Sequence, residues 1–175
     1  FNWTTRADAR LAACRHNAGF AWAEGSHEAF SPARHRRTVF YTETGGCLVI
    51  DDVTDERTTA EHTATVHWHF DPEWVVTCDG PHRVFATHWT GRTGCVLTDV
   101  GDLSVVCGDA ASETGWCSPR YGVLVPTSTA HITRTGRGAL QIVTWLGEGR
   151  APERLALERV GGRGRAGRAP EGELW

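Results

Sequence analysis

TATVHWHF, residues 63–70, alternates polar and apolar side chains without a slip. In an extended strand successive side chains point to opposite faces, so Thr63, Thr65, His67 and His69 share one side and Ala64, Val66, Trp68 and Phe70 the other. The second set is a core face. The first carries two histidines, and their presence there asks for a reason.

The same period of two runs outward from this stretch. HRRTVFYT, a Gly45-Gly46 turn and CLVIDDV read as a hairpin with strands near 35–42 and 46–53. The charged loop TDERTTAE leads into a strand over 62–70, which Asp71-Pro72 ends. Short pieces rich in β-formers follow: WVVTCD, RVFATHW, GCVLTDV, LSVVCGD, YGVLVP, AHITRT and ALQIVTWL. Closely spaced strands with no amphipathic helix between them predict an all-β fold, an antiparallel β-sandwich over residues 1–150. Residues 8–16 fit a short helix or one member of a strand pair. PERLALER (152–159) predicts a helical turn or two, and GGRGRAGRAPEGE has almost nothing to bury, so 151–175 reads as an appendage and flexible tail.

Length and composition bound the function. A chain of 175 residues, 40% hydrophobic with eight Trp, supports one core. The net charge of −3 gives no electrostatic case for nucleic acid. All eighteen basic residues are arginine, which reads as coding bias before function. No apolar run reaches the length of a membrane span. Met is absent even from position 1, so a processed chain or a piece of a longer one is expected. The six cysteines contain no Cys-x-x-Cys pair and read as small buried hydrophobes, with disulfides as the alternative.

The polar residues of the central strands suggest chemistry. His35, Arg37, Val39 and Tyr41 share one face of the first hairpin strand. On the second, Asp51 and Asp52 put one carboxylate on each side of the sheet, and one directed into a packed layer needs a cation, a metal or several donors. If the hairpin and strand 62–70 lie side by side, imidazole, carboxylate and imidazole reach one face, a donor set suited to zinc with a fourth position left for water. The competing reading is a hydrogen-bonded sheet edge involving Arg36 and Arg37. His27, in EGSHEAF, sits in a turn where binding groups are common. Trp116 and Tyr121 flank a Ser-Pro turn, where they either stack on a sugar or pack the turn. There is no phosphate loop, dinucleotide fingerprint or Gly-x-Ser-x-Gly elbow, and no nucleophile in a recognisable setting.

Several of these segments in order, AWAEGSHEAF, ARHRRTVFYTETGGCLVIDDVTDE, EHTATVHWHFDPE and GWCSPRYGVLVPTS, resemble the C-terminal region of the heparinase II/III-like polysaccharide lyases, over roughly residues 1–146. The resemblance implies a larger protein with an (α/α) toroid ahead of a β-sandwich. Such enzymes cleave uronic-acid-containing polymers by β-elimination, using an Asn, a His and a Tyr of the toroid. On this reading the present chain is the non-catalytic sandwich half, without catalytic residues of its own. The resemblance also implies a structural zinc held by His35, Asp51 and His69, with His67 and Asp52 as substitutes if the register differs by a face, and His27 near the substrate. Zinc held this way crosslinks strands distant in sequence and leaves as the imidazoles protonate. Ala29 and Phe30 stand where the family has Gly-Tyr, so a hydroxyl is missing. The implied partners are the toroid and an acidic polysaccharide, and a periplasmic or secreted parent is favoured over a cytoplasmic one. Two other readings compete. One is a carbohydrate-binding or cell-surface sandwich using Trp3, Trp22 and Trp116 as a platform, and the other is a cupin-like metal enzyme built on the paired histidines.

Overall fold

The computed structural model describes residues 7–43, 45–55, 59–108, 114–149, 152 and 155. In chain order the strands are β1 (Arg10–Asn17), β2 (Phe20–His27), β3 (Arg34–Thr42), β4 (Gly46–Thr54), β5 (Glu61–His69), β6 (Trp74–Cys78) and β7 (Arg83–His88), then β8 (Thr93–Thr98), β9 (Leu103–Cys107), β10 (Trp116–Arg120), β11 (Val123–Pro126), β12 (Ser128–Arg137) and β13 (Leu140–Glu148). The 8–16 segment therefore belongs to a strand pair: β1 and β2 meet at a tight turn in which Gly19 takes φ +100°, a conformation open to glycine and poorly tolerated elsewhere. The expected helix at 152–159 and the tail beyond it lie outside the described residues, apart from 152 and 155.

Among the described residues every strand pair is antiparallel. An eight-stranded sheet runs β1-β2-β3-β4-β13-β8-β7-β6, a three-stranded sheet runs β5-β12-β9, and β10-β11 form a separate hairpin. The two larger sheets pack face to face. Val84, Val96 and Ile142 from the large sheet meet Val66, Ala130 and Ile132 from the small one, and Trp68, Phe70 and Leu146 close around them. Each fully buried Val or Ile in this layer contributes about 1.5–3 kcal/mol. β5 and β12 pair in unbroken register from Glu61↔Arg137 to His69↔Thr129.

This topology corrects one expectation. β5 does not lie beside the β3–β4 hairpin in one sheet, because the free edge of β4 is taken by β13, from Val53↔Leu140 to Gly46↔Gly147. β5 instead belongs to the opposite layer, and it is its apolar side that turns toward the large sheet. The single closed barrel of the cupin-like reading is likewise absent among the described residues. The cysteines are unbridged, and only Cys95 is buried; Cys47 and Cys117 are half-buried and Cys14, Cys78 and Cys107 exposed, so the buried-hydrophobe reading holds for Cys95 alone. Burial pushes the Cys95 thiol up to about 11. No helix among the described residues is long and apolar enough to cross a membrane.

Candidate functional site

The inward face of β3 and β4 carries a polar cluster. Arg37 and Asp51 are direct cross-strand partners, and His35 sits two residues from Arg37 on the same side. The Asp51 side chain is only 2% exposed. Its Oδ1 accepts from His35 Nε2 at 2.6 Å and from Arg37 Nε at 2.7 Å, and its Oδ2 accepts from a terminal nitrogen of Arg37 at 3.0 Å. Burial by itself would raise the Asp51 pKa. The hydrogen bonds and charge supplied by His35 and Arg37 outweigh it, so the carboxyl is held below its usual range. The Arg37 guanidinium also lies over the Trp68 ring, 5.4 Å from its centroid, and so ties the hairpin to the opposite sheet.

His27 ends β2, directly opposite His35 on β3. Its Nε2 is 3.0 Å from His35 Nδ1, its Nδ1 accepts from the Ala29 amide at 3.3 Å, and Phe30 stands edge-on to its ring. Burial, with the charges of His35 and Arg37, moves the His27 pKa down.

A cleft of about 530 Å³ opens between this face and β5. His27, His35, Arg37 and Asp51 line it from the large sheet, and His62, with Thr63, Thr65 and His67 along the β5 edge, from the small one. His62 has the parity of Ala64 and Val66, so it faces inward; its Nε2 is buried and has no hydrogen-bond partner. His62 is the residue that reading the sequence missed. The alternation read there begins at Thr63, and carrying it back one residue puts an imidazole on the core face.

His35 and Asp51 are thus brought together as expected, and His69 is not. His69 is exposed on the far side of β5, with its Nδ1 2.9 Å from Thr129 Oγ1. The substitutes make their contacts elsewhere, although His67 also edges the cleft. His67 shares the outer face of His69 and packs against His131, ring centroids 4.5 Å apart. Asp52 lies on the outer side of the large sheet, bound by Arg36 at 2.8 Å and by Gln141 at 2.8 Å. The cause is β5's place in the opposite layer, which directs its polar side away from the hairpin.

Imidazole and carboxylate donors at His35, Asp51 and His62 suit zinc in kind. Among the described residues no three His, Cys, Asp or Glu side chains are already grouped as a metal-binding set. His35 and Asp51 touch each other directly, whereas tetrahedral zinc keeps neighbouring ligand atoms about 3.3 Å apart. Accommodation asks this pair to open by a fraction of an ångström and His62 to swing toward it. The unpartnered His62 Nε2 is the observation that makes the donor set fit.

Trp22 and Trp116 fall in different sheets, so they form no common platform, and Trp3 lies outside the described residues. Tyr121 is 99% exposed at the tip of the β10–β11 hairpin.

The architecture defines the class: an antiparallel two-layer β-structure with a charged cluster at the cleft between its layers. The sequence matches the model of the C-terminal region of heparinase II/III-like proteins over residues 1–158, and the chain belongs to that family. Among curated proteins none matches. Solved structures of similar fold include a heparan sulfate lyase from Pedobacter heparinus (TM-score 0.70, 18% identity, covering 83% of this chain and 23% of that one). A structure described as heparinase III is similar at TM-score 0.65 and 15% identity, with 80% and 21% covered. The chain spans less than a quarter of the length of these proteins.

Proposed function

We propose that this chain is the non-catalytic sandwich half, residues 1–150 with a C-terminal appendage, of a periplasmic or secreted lyase that acts on uronic-acid-containing polysaccharides. The observation that carries the reading is the family match over residues 1–158. In the β-elimination, a base takes the C5 proton of the uronate, electrons move into the C4–C5 bond, and the 4-O-linked sugar departs with a proton from an acid. The base and acid belong to the partner toroid. The sandwich walls one side of the groove, with His27 at the mouth of its cleft.

In the same reading the cleft is a structural zinc site with His35, Asp51 and His62 as protein ligands, His62 replacing the expected His69. Zinc there would crosslink two sheets that otherwise meet mainly through apolar contacts. Support comes from the buried Asp51 carboxylate and the unpartnered His62 nitrogen. The lyase reading is tested by incubating heparan sulfate and alginate with this chain and with the polypeptide extended to include the toroid. Unsaturated uronate is expected only from the extended form, and its formation by this chain alone would overturn the division of labour.

A second reading, a carbohydrate-binding module, gains from one observation. Trp22, Phe40, Leu48 and Trp145 are register partners in a single row across the outer face of the large sheet. Oligosaccharide binding by this chain alone, weakened by Trp22→Ala, would favour it.

A further inference from the structure

Strand register extends the aromatic row of the large sheet at both ends. Arg15 of β1 is the partner of Trp22, while Leu97 of β8 and then Arg83 of β7 continue the row past Trp145. Cross-strand partners share a face, so Arg15, Trp22, Phe40, Leu48 and Trp145 form one line over β1, β2, β3, β4 and β13, on the side away from the small sheet. Arg15 is exposed and the next four are half-buried. Leu97 is buried and Arg83 is paired with Asp79, so the accessible line ends at Trp145. The Trp22 and Phe40 rings stack with centroids 6.2 Å apart and 29° between their planes. The Trp145 indole lies over the Gly46↔Gly147 pair, in space that a Cβ on either residue would take.

Spacing and charge say what such a line can hold. Neighbouring strands are about 4.8 Å apart, close to the advance of one pyranose unit along an extended 1→4-linked chain. Trp22, Phe40, Leu48 and Trp145 thus offer one apolar contact to each of four successive sugar units. Two acids stand on the same face, and both are engaged. Glu24 accepts from Thr38 Oγ1 at 3.4 Å and lies 4.0 Å from Arg36, and Asp52 is held by Arg36 and Gln141. Arg15 stands at the end of the line as an exposed guanidinium, whose paired N–H groups match the two oxygens of a carboxylate. We infer that the row binds a linear uronate oligosaccharide laid across the strands, with Arg15 taking a carboxylate and the apolar residues taking the sugar rings.

This inference rests on the carbohydrate-module reading above, to which it adds the acidic character of the ligand and the residue that selects it. The test is calorimetric titration of the wild-type chain with a mannuronate tetramer and with cellotetraose. The uronate should bind about 10-fold more tightly at low salt, with the preference shrinking as salt is raised. Arg15→Gln should lower uronate affinity about 10-fold and leave cellotetraose binding unchanged, and Trp22→Ala should weaken both. Equal binding of the two tetramers, or uronate affinity unmoved in Arg15→Gln, overturns the inference and leaves the module reading standing. Uronate binding that survives Trp22→Ala places the ligand elsewhere on the chain and overturns it as well. No binding of either tetramer overturns both readings, and self-association abolished by Trp22→Ala would then give the row to a second copy of this chain. The comparison of tetramers uses the wild type and Arg15 is exposed, so a misfolded Trp22→Ala leaves the decision intact.

Discussion

Asp51 gathers three hydrogen bonds on a carboxylate that water hardly reaches. Removing it strands Arg37 and His35 on an inward face, and breaking a buried ion pair from one side costs about 3–5 kcal/mol. Arg37 is 40% exposed, which screens its loss and moves the expectation for Asp51→Ala to the lower end, about 3 kcal/mol. Urea unfolding checks this; a loss near zero would mean that the cluster contributes nothing to the fold. On the outer side of β5, burial and then the charges of His131 and His69 hold the His67 pKa below 6.5. The unfolded chain therefore takes the proton more readily than the folded one. That contribution is complete above pH 6.5 and fades as pH falls below it. His67→Gln should flatten the decline in stability between pH 7 and 5, and a slope unchanged from wild type would contradict the assignment.

The strands repay reading by parity. Alternation along 63–70 correctly separates Ala64, Val66 and Trp68 from Thr63, Thr65, His67 and His69, because a half-buried strand leaves that imprint on its sequence. The hairpin 35–42 with 46–53 is legible for the same reason, with a Gly-Gly turn between the runs. Layer assignment is not legible, since the hydrogen-bonding partners of β5 and β4 are β12 and β13, which lie far later in the chain. That non-local choice carried His69 away from His35 and Asp51 and turned His62 toward the cleft they line. A second element-scale device is the Gly46↔Gly147 pair, over which the Trp145 indole lies: a Cβ at Gly147 would run into the ring. Gly147→Ala forces the indole to lift and should cost about 1–3 kcal/mol by thermal unfolding. Combined with Trp145→Leu, the Gly147→Ala penalty should shrink, and simple additivity would count against direct contact. Ile132, wholly buried in the central strand of the small sheet, should lose about 2–5 kcal/mol as Ala.

At the scale of the molecule, two sheets meet through an apolar layer on one side and a polar cleft on the other. The apolar layer packs the β5-β12-β9 sheet against residues of β13, β8, β7 and β6. The cleft under β5 is held by the Arg37–Trp68 contact, with a zinc crosslink as the proposed addition. Loss of that crosslink should loosen the edge of β5 nearest His62 before the β5–β12 pairing yields. Hydrogen exchange in chelator should thus rise first around residues 60–64, and uniform protection throughout β5 would argue against a local crosslink. The family relationship rests on the match over residues 1–158, and the lyase and zinc readings are proposals built on it.

The most direct test is the zinc content and melting temperature of three proteins, wild type, His62→Ala and His69→Ala, each measured with and without a chelator. Wild type and His69→Ala should copurify with zinc and drop by several degrees on chelation, while His62→Ala should carry little zinc and melt at the same temperature either way. A wild type free of zinc and indifferent to chelation, or a chelator response lost in His69→Ala and kept in His62→Ala, would contradict the site.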